Sequence, residues 1–237
     1  MKEELGDRIK FYYENRTRYS LPRRTYTLIR LDGVHFHTYT KGLNRPFDDK
    51  LINDMDETAK FLCYNIQGAK FAFVQSDEIS ILVTDFENIK TSPWFEGNIQ
   101  KISSVSSSMA TAKFNELRPN KLAFFDSRVF TITTKVEVEN YFIWRQQDTV
   151  RNSISSVAQS LYSHKELNGK NISDMQELIY QKGINWNDYS AKYKRGRMII
   201  KEHYLKENTT RSKWSIVEPP IFTKDRKFIS DLIPNLL

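Results

Sequence analysis

Two apolar runs separated by only four residues, Lys70 to Val74 and Ile79 to Val83, restrict the fold of this chain most. Phe71 and Phe73 fall on one face of the first run, and the second is rich in β-branched residues. The link between them, Gln75-Ser76-Asp77-Glu78, is polar and compatible with a tight connection. Two such runs at this spacing read as a β-hairpin, which commits this part of the chain to an antiparallel pair.

The flanking segments fit around that hairpin. Thr25 to Leu31 alternates and ends at Asp32-Gly33, as a strand does. Asp48 is a good N-cap, after which Leu51, Ile52, Met55, Ala59, Leu62, Cys63 and Ile66 recur at helical spacing up to Gly68. Ile99, Ile102, Val105, Met109 and Ala112 predict a second helix, serine-rich on its other faces. Beyond the break at Pro119-Asn120, Ala123 to Ile132 can supply a further strand pair around Asp126. The order strand, helix, two strands, helix, strand suits an α+β fold. It has a ferredoxin-like antiparallel sheet with two helices on one face.

From Val136 the character changes. Val138, Tyr141 and Phe142, then Val150, Ile154, Val157, Ala158 and Leu161, predict one long helix or two joined ones, with Trp144 in the core. Ser173 with Gln176 reads as a capping box for a short helix ended by Gly183. A basic run, Lys192-Tyr193-Lys194-Arg195-Gly196-Arg197, precedes Met198-Ile199-Ile200, and the rest reads as loops and short pieces around Pro219-Pro220. The expected division is a catalytic domain over 1–135 and a mainly helical C-terminal extension over 136–237.

Of 237 residues, 39% are hydrophobic and 13% aromatic, enough for a core and against global disorder. The net charge of +7 suits a nucleic-acid partner, but many soluble proteins share that balance. Cys63 is the only cysteine, so there is no internal disulfide and no cysteine zinc cluster; its helical setting reads as core. The segment from Met1 to Leu5 lacks the apolar stretch of a secretion signal, and no run approaches membrane-spanning length. A cytoplasmic protein without membrane association is expected.

Asp32 and the pair Asp77-Glu78 each sit at the end of an apolar strand. If the first strand and the hairpin are neighbours, Asp32 and Asp77 meet, and two carboxylates in contact must share a proton or a cation. Mg²⁺ bound by one or two carboxylates plus substrate phosphates resolves the repulsion, and a pair of such ions serves phosphoryl transfer. Gly33 permits close backbone approach, so its carbonyl can join the coordination shell. The plainer alternative is that these acids are turn formers.

The motifs decide between the two. Arg30-Leu31-Asp32-Gly33-Val34-His35-Phe36-His37, Arg45-Pro46-Phe47-Asp48 and Gln75-Ser76-Asp77-Glu78-Ile79-Ser80 closely resemble the tRNA(His) guanylyltransferase family. Phe125-Asp126-Ser127-Arg128, Trp144-Arg145-Gln146 with Asp148, and Lys194-Arg195-Gly196 follow in the family's order. The resemblance implies a polymerase-palm catalytic domain and an enzyme adding nucleotides to a tRNA 5′ end in the 3′-to-5′ direction, with ATP and GTP as substrates. It implies catalytic Asp32, Asp77 and Glu78, with two Mg²⁺ ions on Asp32, the Gly33 carbonyl and Asp77. Nucleotide contacts are expected from Gly33, Val34, His35, Phe36, His37, Lys41, Arg45, Asp48, Ser76 and Lys194. RNA contacts are expected from Arg23, Arg24, Arg128, Arg145, Asn152 and Arg195. Members of the family resemble dimers of dimers, so a homotetramer is expected.

The chain departs from the family in one respect. Eukaryotic members carry His-Ile-Asn-Asn after the Trp-Arg-Gln segment, where this chain reads Val150-Arg151-Asn152-Ser153. Losing that histidine points away from dedicated addition of one G to tRNA(His). It points toward the like-protein branch, which resembles template-dependent repairers of truncated tRNA 5′ ends. Two rivals remain: a nucleotide cyclase or dinucleotide synthase on the same palm, and a tRNA-binding protein without catalysis. Retention of the three acids argues against the second, because a pure binding surface gains nothing from acids near phosphates.

Overall fold

The computed structural model describes residues 4–207 and 209–236. Met1, Lys2 and Glu3, part of the segment read above for a secretion signal, lie outside the described residues. In chain order the helices and strands are α1 (Leu5–Tyr12), β1 (Tyr26–Gly33), α2 (Phe36–Tyr39), α3 (Asp49–Asn65), β2 (Ala69–Gln75), β3 (Glu78–Val83), α4 (Ile99–Leu117), β4 (Phe125–Ile132) and α5 (Lys135–Leu161). They continue with α6 (His164–Leu167), α7 (Ile172–Gln181), α8 (Ala191–Lys194), β5 (Arg197–Lys206), β6 (Thr209–Val217) and α9 (Arg226–Leu232).

All six strands form one antiparallel sheet in the order β4-β1-β3-β2-β5-β6. The first four strands with α3 and α4 are the ferredoxin-like unit. Asp48 caps α3, its Oδ1 accepting the Leu51 amide at 2.8 Å. The hairpin closes with Gln75 opposite Glu78, leaving Ser76 and Asp77 as its two-residue turn, and Ser76 adopts a left-handed φ of 44°.

Strand alternation sorts the core into two layers. Ile29, Leu31, Ala72, Val74, Ile79 and Ile81 face α3 and α4, meeting Met55, Leu62, Ala110 and Phe114. Tyr26, Leu28, Phe71, Phe73 and Leu82 face the other way, onto Val138 and Phe142 of α5 and Ile229 of α9. Cys63 is buried on α3 as expected, and burial pushes its thiol pKa up. A third cluster joins α5 to α7 through Ile154, Val157, Ala158 and Ile179. No helix among the described residues is long and apolar enough to cross a membrane.

The chain beyond residue 135 differs from the reading above. What reads as loops and short pieces is largely the β5–β6 hairpin, whose first strand pairs with β2, from Phe71↔Ile200 to Val74↔Arg197. The Met198-Ile199-Ile200 run is too short to separate strand from helix by periodicity, and the outer half of the hairpin is exposed and polar. Gly196 leads into it at φ 79°, where a Cβ would sit 2.6 Å from the Phe73 ring and 2.8 Å from the Val74 carbonyl oxygen.

Three smaller corrections follow. Residues 125–132 form a single strand rather than a pair, because all eight align with β1. The cap of α7 is Asn171 with Asp174, two residues before the Ser173 box. Trp144 is 44% exposed, with the Arg145 guanidinium stacked on its ring at 4.2 Å.

Gly33 is required by packing. A Cβ there would lie 2.2 Å from Cδ2 of Phe36, whose ring is buried against Tyr39, Phe114 and Phe125. Gly33→Ala is expected to cost about 1–3 kcal/mol through overpacking, read as a lowered urea midpoint at unchanged slope.

Candidate active site

The two aspartates come together because β1 ends where the β2–β3 hairpin turns. Asp32 aligns with Glu78 across β1 and β3, and the Gly33 amide donates to the Asp77 carbonyl oxygen at 3.2 Å. Burial pushes the Asp77 carboxyl up to about 6. Hydrogen bonds from its own backbone and from Ser76 oppose the rise, and the charges of Asp32 and Glu78 add to it. Asp32 is 35% exposed and aligns on its other side with Asp126 of β4. Arg128 lies between these two, Nη2 3.8 Å from Asp32 and Nε 3.9 Å from Asp126.

Glu78 points into the protein rather than toward solvent. Its Oε1 accepts from Arg145 Nε at 2.8 Å and its Oε2 from Arg145 Nη2 at 3.1 Å, with Arg30 Nε 3.4 Å from Oε2. Gln75 and Ser80 also donate to Oε1, at 3.2 and 3.3 Å. Arg145 is buried, also holds Asp148 at 2.8 Å, and presents no face to an RNA. The Glu78–Arg145 pair fastens the turn to α5 and thereby fixes where Asp77 stands. Thr149 adds a second tie, donating to Gln75 Oε1 at 2.6 Å.

Beside the turn lies a cleft walled by the 40–48 loop, the start of α3, α5 and α8. Of the expected nucleotide contacts, Arg45, Asp48 and Ser76 line it, as does Asn152 from the expected RNA set. Arg45 is exposed on the cleft wall, and Asp48 is shared with the cap of α3. One wall is the stacked pair Phe47 and Tyr193, ring centroids 4.7 Å apart and 12° from parallel.

The other expected contacts lie elsewhere. Phe36 is core, so only its backbone is available to a ligand. Val34, His35, His37 and Lys41 are exposed around α2, with His35 left-handed at φ 56° and His37 Nε2 3.0 Å from the Thr38 hydroxyl. Lys194 donates to the Asn187 carbonyl and covers the Trp186 ring; burial lowers its pKa. Arg195 is half-buried beside it. Arg23 and Arg24 brace the 84–91 loop, donating to the Thr91 and Ile89 carbonyls at 2.6 and 3.2 Å.

The sequence reading missed Phe47, Tyr193 and Arg197 as cleft residues. Arg197 stands in a basic run that reads as solvated surface, yet it is 4% exposed and paired with Asp56. The apolar residues that follow it were the available sign that the run ends inside a strand.

Strand-end carboxylates beside a cleft on a ferredoxin-like sheet are the features of a phosphoryl-transfer enzyme. The family model described as tRNAHis guanylyltransferase matches residues 7–133, more than half of the chain. The chain therefore belongs to the tRNAHis guanylyltransferase family and is a nucleotidyltransferase. It is 28% identical over 216 residues to the tRNA(His) guanylyltransferase of Eremothecium gossypii, covering 81% of this chain and 89% of that one. A bacterial tRNA(His) guanylyltransferase (Thg1)-like protein solved in complex with ATP is 50% identical, with a TM-score of 0.89 over 98% of this chain and 99% of that one. The corresponding GTP complex is 49% identical with a TM-score of 0.86, over 97% and 99%.

Proposed function

We propose that this enzyme extends the 5′ ends of tRNAs in the 3′-to-5′ direction, copying the opposing strand, with Mg²⁺ held by Asp32, Asp77 and the Gly33 carbonyl. The observation that carries the reading is the convergence of Asp32 and Asp77 where the end of β1 meets the hairpin turn, whose Ser76 lines the cleft. The donor set suits Mg²⁺. Mg²⁺ characteristically takes one or two carboxylates with phosphates completing its shell, and the end of β1 and the hairpin turn bring two carboxylates, Asp32 and Asp77, to one place. The raised Asp77 pKa marks a place where a cation relieves both burial and repulsion. When bound, Mg²⁺ supplies neutralisation of phosphate charge and lowers the pKa of a coordinated hydroxyl.

In the proposed reaction ATP activates a tRNA 5′-monophosphate, forming an adenylylated end and releasing pyrophosphate. The 3′-hydroxyl of an incoming nucleotide then attacks the 5′ phosphorus and AMP leaves. The hydroxyl proton passes to solvent, and the new end carries the nucleotide's triphosphate, from which pyrophosphate is removed. The protein's part is to position and neutralise, and no side-chain nucleophile is needed. The bound ligands of the two like-protein structures support ATP and GTP as substrates. Arg45 and Ser76 meet the phosphates, and Arg128 offers a phosphate contact at the outer rim.

The test is incubation with Mg²⁺, ATP, labelled GTP and a tRNA lacking its first nucleotide, with each of the four bases in turn opposite the gap. Extension that tracks the opposing base is the expected result. Label incorporated whatever the opposing base would contradict templating.

A further inference from the structure

The hairpin turn has two flanks, and the cleft occupies one of them, toward β2 and β5, through Gln75, Ser76 and Arg197. On the other flank Asp32 of β1 and Asp126 of β4 are aligned, with Arg128 beside them, and all three side chains are open to solvent. Trp144 stands over this second flank. Along α5, Val138 and Phe142 pack on the far part of the sheet, Arg145 meets Glu78, and Thr149 meets Gln75. Trp144 is therefore level with Glu78, the residue with which Asp32 aligns. Around α5, Gln146 faces Pro220 and Phe222, and Phe222 lies against Phe73 of β2. Tyr141, by contrast, meets both Phe130 of β4 and the Trp144 ring. Trp144 thus lies on the β4 side of the helix, across the aspartates from the cleft.

The surroundings of the ring say what it can receive. The Arg145 guanidinium lies over it at 4.2 Å, and the Tyr141 ring meets it at 67° with centroids 5.8 Å apart. Glu78 and Asp148 hold Arg145 in turn, so the platform is fixed. The rest of Trp144, 44% of its surface, is open to solvent. A rigid exposed ring of this kind is a stacking platform, and proteins hold unpaired bases by stacking them on aromatic side chains. Asp148, one helical turn on from Trp144, and Asp126 on the flank repel a phosphate but not the uncharged face of a base. Bases inside a duplex already stack on their neighbours. At a shortened tRNA 5′ end the opposing strand runs on unpaired past the templating base, and its bases have free faces.

We infer that Trp144 is an RNA-binding residue, stacking on the first unpaired base of the opposing strand beyond the templating base. The inference rests on the proposed tRNA extension and deepens it. Stacking accepts any base, so the choice of incoming nucleotide stays with the template, and Trp144 holds the strand that carries it. The nucleotide then enters from the cleft and the RNA from the β4 side, with Asp32 and Asp77 between them.

The experiment measures binding of a labelled tRNA lacking its first nucleotide to the full chain by anisotropy, without nucleotides. The proteins are the wild type, Trp144→Leu and Trp144→Phe, and each RNA is used intact and abasic at that one position. Trp144→Leu is expected to bind the intact RNA about tenfold to a hundredfold more weakly, and Trp144→Phe, which keeps a ring, within about threefold of the wild type. The abasic RNA is expected to lose the same factor with the wild type and to bind all three proteins alike. Unlabelled intact RNA should also quench tryptophan emission of the wild type more than abasic RNA does, and Trp144→Phe should abolish that difference. Equal weakening of intact and abasic RNA by Trp144→Leu would make the effect structural and overturn the inference; so would no weakening of either. If Trp144→Leu does not fold, the quench decides: a difference between the two RNAs that persists in Trp144→Phe, or none in the wild type, would overturn it. A wild type that shows the coupling but does not extend the RNA would refute the proposed reaction alone, whereas one that extends the RNA without the coupling would refute this inference alone.

Discussion

Asp77→Asn is expected to lower 5′ extension by about a thousandfold or more, while raising the melting temperature of the metal-free protein. The first effect follows from losing a ligand whose cation supplies several kcal/mol at the transferred phosphoryl group. The second follows from linkage. The Asp77 carboxyl titrates near 6 in the fold against 3.8 for an ordinary aspartate, so the folded protein holds this proton more tightly than the unfolded chain does. The associated destabilisation is absent below pH 3.8, grows as pH rises toward 6, and is complete above it. The full shift would correspond to about 3 kcal/mol; solvent screening at this half-buried turn reduces it to about 1 kcal/mol. Asparagine removes that cost, and the expected gain at pH 7.5 is about 2–4 °C for a chain of this size. Mg²⁺ should raise the melting temperature of the wild type at pH 7.5, leave the asparagine variant unchanged, and lose its effect below about pH 5. A destabilised variant that retains activity would contradict the assignment of Asp77 as a ligand.

The second large effect is expected at Arg145. Arg145→Ala leaves Glu78 buried and unpaired apart from the more distant Arg30, which should cost about 3–5 kcal/mol in urea unfolding. Glu78→Gln should cost less, because the glutamine keeps an acceptor for one of the two Arg145 donors. Extension rates per folded molecule distinguish a tether from a ligand. If Glu78 acts only by holding the turn, the glutamine variant should lose rate in proportion to displacement of Asp77, and Asp77 should keep its Mg²⁺-dependent stabilisation. Loss of that stabilisation would make Glu78 part of the cation site.

The sheet and the two aspartates were legible because local signals agreed there. The hairpin spacing, the cap at Asp48 and the strand ending at Asp32 each name an element, and antiparallel pairing then fixes the meeting point. What sequence could not supply was the direction of side chains. Glu78 adjoins Asp77 and reads as equally functional, yet the strand's alternation turns it onto α5, where Arg145 awaits. Arg145 and Arg197 look like surface cations because arginine usually is one, and only the carboxylates opposite, 67 and 141 residues away in the chain, bury them. Phe36 sits in a functional motif for a packing reason: its ring occupies the space that Gly33 leaves.

The pairing of β5 with β2 bears on what can be cut from this protein. A fragment ending near residue 135 would expose Phe71, Phe73 and Leu82, which α5 and α9 now cover. It would also turn β2 into an open border whose amides from Phe71 to Val74 lack their partners in β5. Such a piece would stick to copies of itself before it could be assayed, so the acids and the strands that seal their sheet have to be inherited together.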